Sequence, residues 1–184
     1  MSISSDIITD LIRVIGCGVE VDKKIKGDIP RFDADNLRWK RIIICTDADE
    51  DGFQIRTLLL TMIYRLLPSL IKMDKIFIAE SPLFEITTKE KIYFAYDERE
   101  KVKILKEIEG KKYTIQRSKG LGENEADMMS LTTMSPATRR LVKVTEADAE
   151  ETAEIFDTLL GDNIVARKKY IADNGSKYLA EADI

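Results

Sequence analysis

Carboxylates recur at alternate positions in the heptapeptide Thr46-Asp47-Ala48-Asp49-Glu50-Asp51-Gly52. The stretch follows a β-branched run, Ile42-Ile43-Ile44-Cys45, and precedes a long amphipathic segment from Phe53 to Leu67. Asp47, Asp49 and Asp51 are therefore expected to crowd at the C-terminal edge of a buried strand. At ~6 Å separation and an effective dielectric of about 20, each pair would repel by roughly 2–3 kcal/mol. A hard divalent cation among the oxygens removes that repulsion and suits phosphate chemistry. The same spacing also opens a calcium-binding EF-hand loop. That loop needs a bidentate glutamate where this chain has Leu58, and it is entered from a helix where this chain has strand-like residues. The pattern points to a metal-dependent phosphate site rather than a calcium sensor. Asp51 reads equally well as the cap of the following helix.

Composition narrows the chemistry further. The 184 residues include no histidine, which removes Ser-His triads and any imidazole acid–base mechanism. Cys17 and Cys45 are far apart and read as reduced cytosolic thiols, not a disulfide or zinc framework. No stretch approaches the ~18–20 apolar residues of a membrane span. Met1 to Asp10 lacks the basic start and apolar core of a secretory signal, so a cytoplasmic location is expected. A net charge of −4 argues against a generic nucleic-acid-coating protein. Local basic clusters still occur at Arg139, Arg140 and Lys143, and at Arg167, Lys168 and Lys169. Either could reach a phosphate within a screening length of about 8–10 Å, or could simply be a solvated helix face.

The elements that must position these groups follow from periodicity. Ile7, Ile8, Leu11, Ile12 and Ile15 mark a helix closed by Gly16. Asp33-Ala34-Asp35 suggests a short capped turn. The Ile42 run, the Phe53–Leu67 helix ended or kinked by Pro68, and a strand from Lys75 to Glu80 predict a parallel β-α-β unit. Ligands bind beyond the C-terminal edge of such sheets, where the aspartates lie. Phe84 to Ile86 and Ile92 to Ala95 predict a hairpin, Asp97 to Ile108 a helix, and Tyr113 to Gln116 a strand. The glycines of Ser118 to Glu123 predict a tight loop returning to the aspartates, with Lys119 as a phosphate contact. Helices are expected from Ser135-Pro136, from Thr145 and from a cap at Asp162. Arg56 and Arg65 are expected in ion pairs on a helix surface.

Several of these segments, TDADEDG, IRTLLLTMIYR, IAESPLFEI, SKGLGE, TTMSP and RRLVKV, stand in one order. Together they resemble the C-terminal half of bacterial type IIA topoisomerase B subunits, gyrase B and its topoisomerase IV counterpart. The likeness extends over nearly the whole chain. It implies an α/β fold: a Rossmann-like Toprim domain over residues 1–117, lacking its first strand, then a mainly helical tail over 118–184. It implies magnesium at Asp47 and Asp49, with Asp51 as the third acid, and beside it Lys119 of the glycine loop and Arg139 and Arg140 of the basic cluster are the candidate DNA contacts. The family cleaves and rejoins DNA with a tyrosine carried on a separate A subunit, so none of the chain's tyrosines is expected to be a nucleophile. ATP would enter only through N-terminal domains outside this sequence.

Two departures from the family pattern shape the expectation. The Toprim fold opens with a strand ending in a glutamate, in a motif like EGDSA, and none occurs between Met1 and Ile15. The chain is thus expected to be a fragment holding half a metal site, inactive alone. The family usually has Ala-His after the Asp-Gly pair, where this chain has Phe53-Gln54. Gln54 is expected to orient a neighbouring carboxylate, not to replace the histidine chemically. Rival readings are a self-sufficient metal-dependent phosphohydrolase and a non-catalytic module that docks the A subunit.

Overall fold

Helix α1, Asp6–Ile15, buries Ile12 and Ile15 on one side and ends at Gly16, whose φ of +92° suits a residue without a side chain. The structure, a computed structural model, describes residues 6–21, 28–118, 120–123, 126–146 and 149–177. A single turn at Ala34–Asn36 follows, capped by the Asp33 side chain. Strand β1, Ile42–Ile44, then leads through the acidic heptapeptide into helix α2, Glu50–Leu66. Asp49 is its N-cap, accepting the Gly52 N–H at 2.8 Å. The first turn folds tightly back on the loop. A Cβ on Gly52 would stand 2.1 Å from the Asp47 carbonyl oxygen, so only glycine fits there.

The α2 helix ends just before Pro68, as expected, and Pro68 opens a new helix as the first residue of α3, Pro68–Lys72. The next N–H, from Ser69, is accepted by Glu20 at 2.8 Å. Strand β2, Ile76–Ala79, lies parallel to β1 with Ile42 opposite Ile76 and Ile44 opposite Ile78, as the β-α-β reading requires. Ile12, Ile15, Ile44, Ile63, Leu67, Leu70 and Ile76 form one core between this sheet and the three helices.

A second sheet is antiparallel throughout, in the order β4-β3-β5. It comprises β3 (Phe84–Thr88), β4 (Ile92–Ala95) and β5 (Tyr113–Arg117), with helix α4 (Glu98–Glu107) between the last two. Alternate residues Phe84, Ile86 and Thr88 point inward, while all of β5 is exposed.

The segment after β5 departs from expectation. A short helix α5, Ala126–Met129, widens into a π turn at Ser130–Met134. Ser135-Pro136 does not start a helix. The Ser135 carbonyl accepts N–H groups from Thr138 and Arg139 and closes a turn, and Leu141–Lys143 form strand β6, antiparallel to β2. The physical reason is the edge of β2, whose backbone groups need partners. The Arg140 carbonyl and the Val144 N–H extend the pairing at either end. Because β6 returns to the first sheet, the first compact unit runs Met1–Val144, past the division expected after residue 117. The second unit, Thr145–Ile184, contains α6, Ala149–Leu160, and α7, Ile164–Asn174. Asn163 rather than Asp162 caps α7, accepting the Ala166 N–H at 3.1 Å. Both cysteines are unpaired. Among the described residues no helix is long and apolar enough to cross a membrane.

Ile76 is fully buried, so Ile76→Ala should cost about 2–4 kcal/mol in urea unfolding. Val142→Ala, on a half-exposed side chain, should cost less than about 1 kcal/mol. Gly52→Ala should lower stability by about 1–3 kcal/mol through forced displacement of the Asp47 backbone, measured as a fall in the thermal midpoint.

Candidate functional site

Asp47 leaves the C-terminal end of β1 half-buried, and its Oδ1 accepts the Leu121 N–H at 2.7 Å across a separation of 74 residues. The Ser118–Glu123 loop therefore does return to the aspartates. Gly120 flanks the same carboxylate, and a Cβ there would be in ordinary contact, 3.7 Å from its carbon and from Oδ2. The loop is anchored at its start by the Ser118 N–H, which donates to the Leu83 carbonyl at 2.9 Å. Lys119, between these two anchors, lies outside the described residues.

The three aspartates are not gathered as their spacing suggests. Among the described residues no three acidic or thiol groups stand close enough to share an ion. Local backbone demands separate them. Asp47 turns toward the glycine loop, whereas Asp49, not Asp51, meets the N–H groups at the start of α2. Asp51 lies exposed in the first turn. Each of Asp47 and Asp49 uses one oxygen, Oδ1, in a hydrogen bond to backbone. Gln54 is exposed on the first turn of α2.

The arginines behave differently from one another. Arg139 donates to the Met134 carbonyl at 3.3 Å. Arg140 pairs with Glu100 at 2.7 Å and lies 3.8 Å over the centre of the Tyr96 ring. The Glu100 hydrogen bond holds the Arg140 pKa above its usual value, while burial pushes the Tyr96 hydroxyl up. The surface ion pair expected of Arg56 does not form among the described residues. Its guanidinium is half-buried beside Thr46, at the same sheet edge as Asp47. Periodicity could have hinted at this, since Arg56 falls about one turn after Gly52 on α2, close to the turn that folds back on Asp47.

The sheet edge thus joins two segments remote in sequence, the acidic heptapeptide and the glycine loop. Comparison with known proteins finds both. Residues 5–82 match the Toprim domain, and residues 110–172 match the carboxyl terminus of the DNA gyrase B subunit. The DNA gyrase B subunit of Thermotoga maritima is 39% identical over 177 residues, which is 96% of this chain and 26% of that protein. That of Clostridium acetobutylicum is 46% identical over 148 residues, 79% of this chain and 23% of that protein. The DNA topoisomerase 4 B subunit of Bacillus subtilis is 42% identical over 171 residues, 91% of this chain and 25% of that protein. The chain spans about a quarter of the length of these curated relatives. With both matches in order and likeness along most of its length, the chain belongs to the type IIA topoisomerase B-subunit family, of which it carries Toprim and carboxyl-terminal segments.

Proposed function

We propose that the chain supplies the magnesium-binding Toprim portion of a type IIA DNA topoisomerase, working with DNA and with an A subunit that carries the catalytic tyrosine. The observation that carries this reading is the hydrogen bond from Leu121 to Asp47, because it unites the acidic motif and the glycine loop at one strand edge. Magnesium commonly takes one or two carboxylates and completes its shell with waters and phosphate oxygens. Asp47 and Asp49 fit that habit, since each engages backbone through Oδ1 and presents a second oxygen. They do not fit a closed all-protein cage, for which no third acid is gathered among the described residues.

In this reading Asp47 and Asp49 hold the ion, and Asp51 lends negative charge from the first turn of α2. Bound magnesium would neutralise charge on a DNA phosphate during cleavage and rejoining. The chain's own contribution is positional. The Leu121 N–H holds the Asp47 carboxylate in one rotamer, and the α2 cap does the same for Asp49. Lys119 and Arg139 add cations for DNA on the same part of the chain, and Gln54 orients ligands from the first turn of α2. Arg140 is tied to Glu100 and Tyr96, so its part in DNA binding would require giving up that ion pair. ATP would act through domains beyond this sequence.

Calorimetric titration should give weak magnesium binding, on the order of millimolar, because water supplies most of the coordination. Asp47→Asn and Asp49→Asn should each weaken it at least tenfold. Asparagine still accepts the Leu121 N–H and still caps α2, so both variants should keep the fold. Equal binding by wild type and both variants would remove the assignment. With supercoiled plasmid, magnesium and ATP, the chain alone should neither relax nor nick DNA. Nicking that disappears in Asp47→Asn would favour a self-sufficient phosphohydrolase instead.

A further inference from the structure

Arg56 reaches the C-terminal edge of the first sheet from the second turn of α2. Its Nη2 is 3.4 Å from Thr46 Oγ1, a long contact, and its guanidinium carbon is 5.0 Å from the centre of the Phe53 ring. The Nε–H is buried and, among the described residues, has no hydrogen-bond partner. Leaving such a donor unmet is costly, more so for a charged group. A second orphan lies on the neighbouring strand end. Ser81 Oγ is also buried without a partner of hydrogen-bonding geometry, meeting only the poor acceptor of the Cys45 thiol. Ile44 stands opposite Ile78 in the parallel register, so Thr46 and Asp47 leave β1 alongside Glu80 and Ser81 leaving β2. Among the described residues, one unmet donor and one weakly met donor thus share the edge where Asp47 sits.

We propose that Arg56 and Ser81 bind a DNA phosphodiester next to Asp47, Arg56 through its Nε–H and Ser81 through its hydroxyl. A phosphodiester oxygen can accept both, and a guanidinium is suited to phosphate by its planar fork. The inference rests on the magnesium reading above and names the residues that would hold the phosphate there. Charge sets its condition. Asp47 and Glu80 face the same edge as like charges to a phosphate, so the phosphate binds in company with magnesium, not alone. Burial depresses the Arg56 pKa below the usual guanidinium range, and the attraction of Cys45 and Glu80 opposes it. The cation is therefore partly stripped of water before any ligand arrives, which strengthens its pull on an anion.

The test observes the Arg56 Nε–Hε resonance by NMR in the wild-type chain, assigned by its loss in Arg56→Lys. A short DNA duplex is titrated with and without magnesium. The Hε proton should move downfield with duplex and magnesium together, and much less with duplex alone. Arg56→Lys keeps the charge but loses the fork, so duplex affinity should fall roughly 10-fold with an unchanged salt slope. Ser81→Ala should weaken binding by a smaller factor with its thermal midpoint kept. An Hε resonance unmoved at the highest duplex concentration overturns the proposal. If the Asp47 and Leu121 amides still respond to magnesium in that experiment, only the phosphate assignment fails. If those amides are silent as well, the magnesium reading fails with it.

Discussion

One hydrogen bond, from the Leu121 backbone to the Asp47 carboxylate, organises the first compact unit around its strand edge. A backbone donor to a charged acceptor contributes about 1.5–3 kcal/mol, more than a neutral pair. Its effect on geometry matters more than its strength. It locks a carboxylate that would otherwise rotate freely, and it brings a glycine loop against the start of α2. Gly120 lies beside the Asp47 carboxylate, where even a Cβ would make only an ordinary contact. From the other side Gly52 permits the first turn of α2 to fold onto the Asp47 backbone. Asp47 is thus held on one flank through its backbone and on the other through its carboxylate.

The dense acidity of the heptapeptide is resolved by giving its members different partners. Capping of α2 by Asp49 answers N–H groups that any helix start leaves open, and places a negative charge at the positive end of the helix dipole. Asp51 stays in water, where screening limits its repulsion to its neighbours. Spacing along the chain is therefore a poor guide to spacing between carboxylates once a helix begins between them. Along the alternation, Asp47 is anchored by the loop, Asp49 caps the helix and Asp51 faces solvent.

Much of the fold was legible in the sequence for plain reasons. The helix ending at Gly16, the Ile42 and Ile76 strands and the hairpin of Phe84–Thr88 with Ile92–Ala95 each carry a strong local period. The return of the glycine loop was also legible, because two closely spaced glycines just after a lysine and a strand favour a sharp turn and a close approach. What was not legible depended on partners distant in sequence. Ser135-Pro136 has the chemistry of a helix start, yet Leu141–Lys143 are drawn into a strand by the edge of β2, which local propensity does not contain. The orphaned Nε of Arg56 was hidden for the same reason, since a helix position alone does not reveal the sheet edge it abuts. Asn163 displaced Asp162 as a cap because both residues accept equally well and only the backbone decides between them.

Arg140 has a mechanical consequence. Its carbonyl accepts the Glu80 N–H at 3.1 Å at the end of β2, while its side chain grips Glu100 on α4 and stacks on Tyr96 just past β4. One residue therefore bolts the second sheet to the rim of the first. A push that tilts the β4-β3-β5 sheet would pass through a guanidinium into the backbone of Glu80, beside Ser81 and the strand edge that holds Asp47. The acidic edge does not sit on a passive platform but at the end of a short strut, and force applied to the outer sheet would reach it as displacement.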